Sequence, residues 1–323
     1  MILIVGGAGY IGSHTNKFLH ESGFETIVFD NLSTGHLNSV QWGTFIKGDL
    51  GNIKDIRSVF ELHNITAVFH FAAHAYVGES VIHPEKYYYN NVSNTLNLLK
   101  VMKEFEVRSL IFSSSCATYG SPITIPINEN HPEKPINPYG KTKLIVDNIL
   151  MDYSNAYDFQ YVSLRYFNAA GNDPTLLIGE SHNPETHLIP LVIESAIDPT
   201  KIINIFGNDY DTPDGTCIRD YIHVNDLADA HVQAYSYLQK DNSTSQIINL
   251  GTGESNSVKE IIISVEKKTG LVVNSKISKR REGDPAILIA DNKKAKKLLC
   301  WSPKYNLNDI ISHTVDWQKN KKY

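Results

Sequence analysis

The chain has 323 residues, 41% of them hydrophobic and 20% charged, and a formal net charge of -5. That balance excludes disorder, collagen and coiled coil, and the lack of a basic excess speaks against nucleic acid as a partner. No run of about 18 apolar residues predicts a membrane span. The apolar start Met1–Val5 lacks the basic flank of a signal peptide, and Cys116, Cys217 and Cys300 show neither metal-ligand nor disulfide spacing. The expectation is a cytoplasmic protein with no metal, membrane or nucleic-acid partner.

In chain order, Ile2–Val5 reads as a buried strand, followed by Gly6-Gly7-Ala8-Gly9-Tyr10-Ile11-Gly12 and a helix over Tyr10–Ser22. Gly6, Gly9 and Gly12 permit a tight turn whose backbone N–H groups reach a pyrophosphate at the helix N-terminus. A second strand, Thr26–Phe29, delivers Asp30, 24 residues beyond Gly6. A carboxylate there accepts hydrogen bonds from ribose hydroxyls and repels a 2′-phosphate, which favours NAD over NADP. Next come a helix over Asp55–His63, a strand at Ala67–Phe71, a helix over Pro84–Lys103 and a strand at Leu110–Phe112 running into Ser113-Ser114-Ser115. A helix over Pro138–Tyr157 and a strand at Tyr161–Arg165 complete the series. This alternation predicts an α/β fold, a doubly wound parallel Rossmann sheet with both faces covered.

After about Asn168 the rhythm breaks, and Pro174, Gly179, Pro184, Pro190, Pro199, Gly207, Pro213 and Gly215 punctuate the chain. Residues 1–168 are therefore read as an NAD-binding Rossmann domain. Residues 169–323 are read as a smaller, loop-rich α/β substrate-binding lobe, free to send part of its chain back onto the first domain.

Tyr139 and Lys143 stand four apart near a helix start, which puts both on one face. The spacing alone is common; its context is not, and Tyr139 is the only tyrosine with a lysine four residues on. A dinucleotide lies across the carboxyl ends of a parallel sheet, where Ser115 ends a strand. Ser115, Tyr139 and Lys143 are thus expected to converge on the nicotinamide end. Oxidising a sugar hydroxyl removes a proton as hydride leaves carbon, and this needs a base near neutral pH. A free tyrosine titrates at about 10, so lowering it by about three units takes about 4 kcal/mol. A lysine ammonium at about 4 Å supplies that at an effective dielectric of about 20. Cys116 reads as a packed residue rather than a nucleophile.

Further stretches are Gly6–His14, Asp30-Asn31, Gly48-Asp49, His70-Phe71-Ala72, Val77–Ser80, Tyr88–Asn91, Phe112–Ser115, Pro138–Lys141, Arg165–Asn168, Phe206–Tyr210, Gly215–His223 and Arg280–Asp284. Through them the chain resembles the UDP-glucose 4-epimerase family, of the extended short-chain dehydrogenase/reductase superfamily, over nearly its whole length. The resemblance implies an isomerase that holds NAD tightly, oxidises a UDP-sugar at C4, and returns hydride to the other face of the 4-keto sugar. It implies Tyr139 as base, Lys143 as the group that tunes it and grips the nicotinamide ribose, and Ser115 as the binder of the 4′-oxygen. Tyr10 and Ile11 then flank the pyrophosphate. Asp30, Asn31, Thr34, Gly35, Asp49 and Leu50 take the adenosine side, and Phe71, Ala72, Asn90 and Phe167 the rest of the cofactor. Asn168, His187, Leu188, Asn204, Ile205, Phe206, Arg219, Arg281 and Asp284 match UDP-sugar positions. Arginine forks suit a diphosphate. Leu288, four places after Asp284, falls where the family lines the pocket beside the sugar's C2 substituent. The resemblance also implies a homodimer and a place in galactose metabolism.

One departure concerns Ala75, which stands where several members carry a cofactor-contacting lysine; the neighbouring His74 is a candidate replacement. Among rivals, a 4,6-dehydratase needs an acid and a base where this chain has Cys116-Ala117. A catalytically dead NAD-binding module is at odds with the intact Ser115, Tyr139 and Lys143. An epimerase of UDP-N-acetylhexosamine or another UDP-sugar remains the alternative.

Overall fold

The computed structural model describes residues 1–281 and 284–323, so Glu282 and Gly283 of the Arg280–Asp284 stretch lie outside the described residues. Seven parallel strands form the main sheet: β1 (Ile2–Val5), β2 (Thr26–Asp30), β3 (Thr44–Lys47), β4 (Ala67–His70), β5 (Ser109–Ser115), β6 (Gln160–Tyr166) and, beyond the short strands given below, β11 (Gln246–Leu250). Their order is β11-β6-β5-β4-β1-β2-β3. Successive strand residues point to opposite faces. In β1, Ile2 and Ile4 enter one core while Leu3 and Val5 enter the other. A sheet buried on both sides needs apolar residues at every position, and β1, β2 and β4 are buried throughout.

One face is covered by α1 (Tyr10–Glu21), α8 (Val224–Leu238) and α10 (Lys293–Leu299), through Leu19, Leu227, Tyr235 and Leu299. The other is covered by α2 (Ile53–Leu62), α5 (Asn94–Glu104) and α6 (Pro138–Tyr157), through Ile56, Leu98, Met102, Val146 and Leu150. The chain after residue 168 thus returns to the sheet, supplying the edge strand β11 and two of its covering helices.

The region expected as one helix over Pro84–Lys103 divides. After α3 (Val77–Ile82) come α4 (Pro84–Tyr87), a π-helical stretch at Tyr88–Ser93, and α5. Such wide turns gather at functional sites. Here Asn91 Nδ2 donates to the His74 carbonyl and to Thr142 Oγ1, at 3.0 and 3.1 Å, while Asn90 lines the large cavity. The strand β3 was not anticipated, because it is a partly exposed sheet edge without an apolar run.

The remaining elements build the smaller lobe. They are β7 (Asn168–Ala170), α7 (Leu188–Ile197), β8 (Ile203–Phe206), β9 (Ile218–Arg219), β10 (Tyr221–His223), β12 (Asn256–Ser257), α9 (Val258–Thr269), β13 (Ser275–Ser278), β14 (Ile287–Leu288) and α11 (Leu307–Lys319). Its core joins Ile189, Val192 and Ile193 of α7 to Ile261 and Val265 of α9 and Ile310, Ile311 and Val315 of α11. Among the described residues no helix is long and apolar enough to cross a membrane.

Candidate active site

A cavity of about 1770 Å³ opens across the carboxyl ends of β1, β2, β5 and β6 and runs into the smaller lobe. A pocket for one small ligand has about 300–1,000 Å³, so this one has room for two ligands end to end.

At one end the glycine loop closes between β1 and α1. Gly6 has φ +80, and a Cβ on it would lie 2.5 Å from the Ala72 nitrogen. A Cβ on Gly12 would lie 2.3 Å from the Gly6 carbonyl oxygen. Both glycines let the loop fold flat, and Gly9 caps α1 so that its first N–H groups border the cavity. Asp30 is tied to this loop: Oδ2 accepts from the Ala8 N–H at 3.0 Å and Oδ1 from the Leu32 N–H at 2.8 Å. Burial pushes its carboxyl above the ordinary value, against those two donors. Asn31 Nδ2 donates to Asp49 Oδ2 at 2.7 Å. Asn31, Thr34, Gly35, Asp49 and Leu50 follow on the same wall, with Tyr10, Ile11, Phe71, Ala72, Asn90 and Phe167 nearer the centre. This flat glycine loop beside a carboxylate, within a wall of mixed polar and apolar side chains, fits a dinucleotide. Ala75 also lines the cavity, and His74 is held below its ordinary pKa mainly by burial, its ring tilted against that of Tyr87 with centres 5.6 Å apart. A neutral His74 does not replace the lysine charge that Ala75 lacks.

In the middle stand Ser115, Tyr139 and Lys143. Pro138 occupies the first turn of α6 and the Asn137 side chain accepts from the Gly140 N–H at 2.8 Å, which fixes where the helix starts and so where both residues point. Burial pushes the Tyr139 phenol up to about 12, partly offset by hydrogen bonding with Ser115. Lys143 Nζ donates to the Ser113 carbonyl at 2.6 Å and sits 5.9 Å from the Tyr139 ring centre. The Ser113 carbonyl is what holds the ammonium beside Tyr139. The reason lies in the sheet: β4 stops opposite Phe112, so Ser113 has no strand partner on that side. Burial lowers Lys143 to about 8, and the charge of Asp147 opposes this. Burial pushes the Cys116 thiol up to about 12, in keeping with a packed residue.

Asp147, one helical turn beyond Lys143, is a positioning residue that the sequence did not announce. It accepts from Ser114 Oγ at 3.1 Å, Ser163 Oγ at 2.5 Å, and Arg165 Nε and Nη2 at 2.9 and 2.7 Å. That network clamps α6 to β5 and β6.

At the far end are Asn168, His187, Leu188, Asn204, Phe206, Arg219, Arg281, Asp284 and Leu288. Arg219 Nη2 donates to Asp284 Oδ1 at 2.5 Å, and the Arg281 guanidinium lies over the Phe206 ring at 4.1 Å. Asn168 Nδ2 donates to the Asp220 carbonyl at 3.0 Å. Ile205 is the exception. Strand alternation turns its side chain into the core of the smaller lobe, away from the cavity.

The NAD dependent epimerase/dehydratase family matches residues 2–251 of this chain. The chain belongs to that family. A UDP-glucose 4-epimerase of Halalkalibacterium halodurans is 50% identical over 98% of this chain and 95% of its own. Among solved structures, the UDP-glucose 4-epimerase of Brucella ovis in complex with NAD is 48% identical with a TM-score of 0.95, covering 98% of this chain and 97% of its own. The UDP-glucose 4-epimerase of Bifidobacterium longum in complex with NAD+ and UDP is 39% identical with a TM-score of 0.95, over 99% and 98%.

For this member of the epimerase/dehydratase family, the cavity also exposes residues that motif reading passed over. Asn137, Glu180, His182 and Glu185 all line it. The signal for Glu180, His182 and Glu185 was local: two histidines and two glutamates within residues 180–187.

Proposed function

We infer that this protein interconverts UDP-glucose and UDP-galactose, as an NAD-dependent isomerase that reversibly oxidises the sugar at C4 through a 4-keto intermediate. One observation carries the reading. A single cavity holds the glycine loop and Asp30 at one end, Ser115, Tyr139 and Lys143 in the middle, and Arg219 and Arg281 at the other. A dinucleotide and a nucleotide sugar laid end to end would meet at Tyr139.

The first turn of α1 would hold the pyrophosphate and Asp30 the adenine-side ribose. Asn31, Thr34, Gly35, Asp49 and Leu50 would border the adenosine, and Phe71, Ala72, Asn90 and Phe167 the nicotinamide half. NAD, when bound there, would supply a positively charged ring as acceptor and donor of the C4 hydride. Tyr139 Oη removes the 4′-hydroxyl proton and returns it, while Ser115 Oγ holds the same oxygen. Lys143 keeps a positive charge beside the phenol and grips the nicotinamide ribose. The fork of Arg219 and the guanidinium of Arg281 pair with the diphosphate, Asp284 orients Arg219, and Asn168, His187, Leu188, Asn204 and Phe206 border the UDP-sugar. Ile205, with its side chain in the core, has only main-chain atoms to offer. Charge thus anchors the diphosphate while the sugar is held weakly, so the keto sugar can turn and present its other face.

Residues 1–168 then serve NAD and residues 169–323 the UDP-sugar, with α8, β11 and α10 of the second stretch built into the first. Work on an intracellular nucleotide sugar fits a cytoplasmic enzyme of galactose metabolism. The apolar side chains of Val81, Ile82, Tyr89 and Met151, exposed on this chain, support pairing of two copies.

The test is NMR of UDP-glucose incubated with purified enzyme and no added cofactor. UDP-galactose is expected to accumulate to equilibrium with no net NADH. Stoichiometric NADH build-up would instead identify a dehydrogenase and overturn the epimerase reading.

A broader sugar range turns on Leu288, which is half-buried on the cavity wall against the cluster of Tyr119, Ile127, Phe167 and Ala290. A hydrophobic wall that differs by a methylene or two discriminates by about 1–3 kcal/mol. UDP-galactose is therefore expected to exceed UDP-N-acetylgalactosamine in kcat/KM by about 10–200-fold, with the N-acetyl sugar still turned over. Leu288→Ser should narrow that ratio. Complete rejection of the N-acetyl sugar, unchanged in Leu288→Ser, would sink the gate.

A further inference from the structure

The loop leading into α7 carries Glu180, His182, Glu185 and His187, and the reaction as argued uses only the last. Each of the four places one donor atom within 4.8 Å of all the others. His187 Nδ1 stands 2.9 Å from Glu180 Oε1 and 2.8 Å from Glu185 Oε1. His182 Nδ1 stands 3.3 Å from Glu180 Oε1 and 3.6 Å from Glu185 Oε2. The Glu180 side chain is only 1% exposed, yet Glu180 Oε1 and His182 Nδ1 are buried without an aligned hydrogen bond. Native structures rarely leave buried polar atoms unpaired, and each such atom asks for an explanation.

A tetrahedral ion explains both the convergence and the misalignment. Zinc binds histidine nitrogen and carboxylate oxygen at about 2.0–2.2 Å, which makes the tetrahedron edge about 3.3–3.6 Å. The histidine–carboxylate separations run from 2.8 to 3.6 Å, with His182 and His187 meeting different oxygens of Glu185, and the closest pair would open by about 0.5 Å to reach that edge. Two imidazoles and two carboxylates are a donor set for zinc or a similar divalent ion rather than for calcium or magnesium. We propose that Glu180, His182, Glu185 and His187 form a site for one zinc-class divalent metal ion that pins the loop to α7. With four protein ligands the ion has no open position for chemistry, and its role is structural. The expectation of a metal-free protein rested on cysteine spacing, which does not bear on this donor set.

The loop it would pin borders both halves of the cavity. His36 Nε2 meets the Ser181 carbonyl at 3.1 Å, and Tyr76 Oη donates to the Pro184 carbonyl at 3.1 Å. The His182 ring stands edge-on to Tyr10, and His187 immediately precedes α7. One ion would therefore tie the cover over the glycine loop to the segment His187-Leu188 at the sugar end.

Tag-free enzyme, stripped with a chelator, dialysed against zinc and then against buffer, should retain about one zinc per chain. Its Tm should rise on reloading, because an ion that binds only the folded state stabilises it. Cobalt in its place should give the visible band of four-coordinate Co²⁺. Glu185→Gln, which keeps the side chain's shape, and His182→Ala should each lower zinc affinity at least about 100-fold, while circular dichroism and the metal-free Tm stay at wild-type values. Zinc content is read without turnover, so the result is independent of the epimerase assignment. Retention below about a tenth of an equivalent, or zinc binding indifferent to both substitutions, would show a plain ion-pair cluster of protonated histidines and overturn the proposal.

Discussion

Tyr139→Phe is expected to lower kcat by about 10²–10⁴-fold, the usual worth of a general acid-base group, while UDP binding by calorimetry stays near wild type. The substitution removes one oxygen from the half-buried wall between the two ends of the cavity and leaves the anchors at both ends untouched. Tyr139 has little of its own to make it basic, since burial pushes its phenol up to about 12. Its use as a base depends on positive charge gathered beside it. Lys143 supplies one such charge, held close by on the Ser113 carbonyl, and the cofactor ring supplies the other. A Tyr139→Phe enzyme that kept more than about a tenth of the wild-type rate would show that another group moves the proton.

Asp147→Ala is expected to cost about 3–5 kcal/mol of stability, the usual consequence of stranding a buried charge. The Arg165 side chain is 0% exposed and the Asp147 side chain 1%. Without the carboxylate, the guanidinium keeps Glu133, at 2.6 Å and partly open to solvent, as its one ion-pair partner among the described residues, with the Tyr119 ring 5.0 Å away. Ser114 and Ser163 lose their acceptor at the same stroke. Denaturant titration should show a lower midpoint at unchanged slope. A second effect follows from the sign of the electrostatics. Asp147 raises the pKa of Lys143 against the burial that lowers it to about 8. Without Asp147 the lysine loses its proton at still lower pH, so the alkaline limb of kcat/KM should move toward neutrality. A loss below about 1 kcal/mol would mean that solvent reaches Arg165 and that the buried clamp is not what seats α6.

Much of the nucleotide half was legible because its signals are local. Gly6, Gly9 and Gly12 announce a turn through their own backbone freedom. Runs such as Ile2–Val5 announce a sheet buried on both faces, because each residue must be apolar whichever way it points. The start of α6 was legible from Pro138, whose missing N–H is tolerated only in a first turn. The sugar half was reached through resemblance rather than through periodicity, since its strands are two to four residues long and carry too few positions to show a period.

What the sequence determined by itself is therefore the set of local conformations and the chemical types present: the glycine turn, Asp30 at a strand end, and Tyr139 and Lys143 on one helical face. Tertiary structure decided which of these groups meet. It captured Lys143 on Ser113 because β4 ends one residue too soon to occupy that carbonyl. It paired Arg219 with Asp284 across 65 residues and turned Ile205 into a core. It opened a π-turn at Tyr88–Ser93 where the pattern read as plain helix. It also drew two histidines and two glutamates to one point. Each of these outcomes depends on where a distant chain segment stops or crosses, and hydrophobic periodicity carries no information about that.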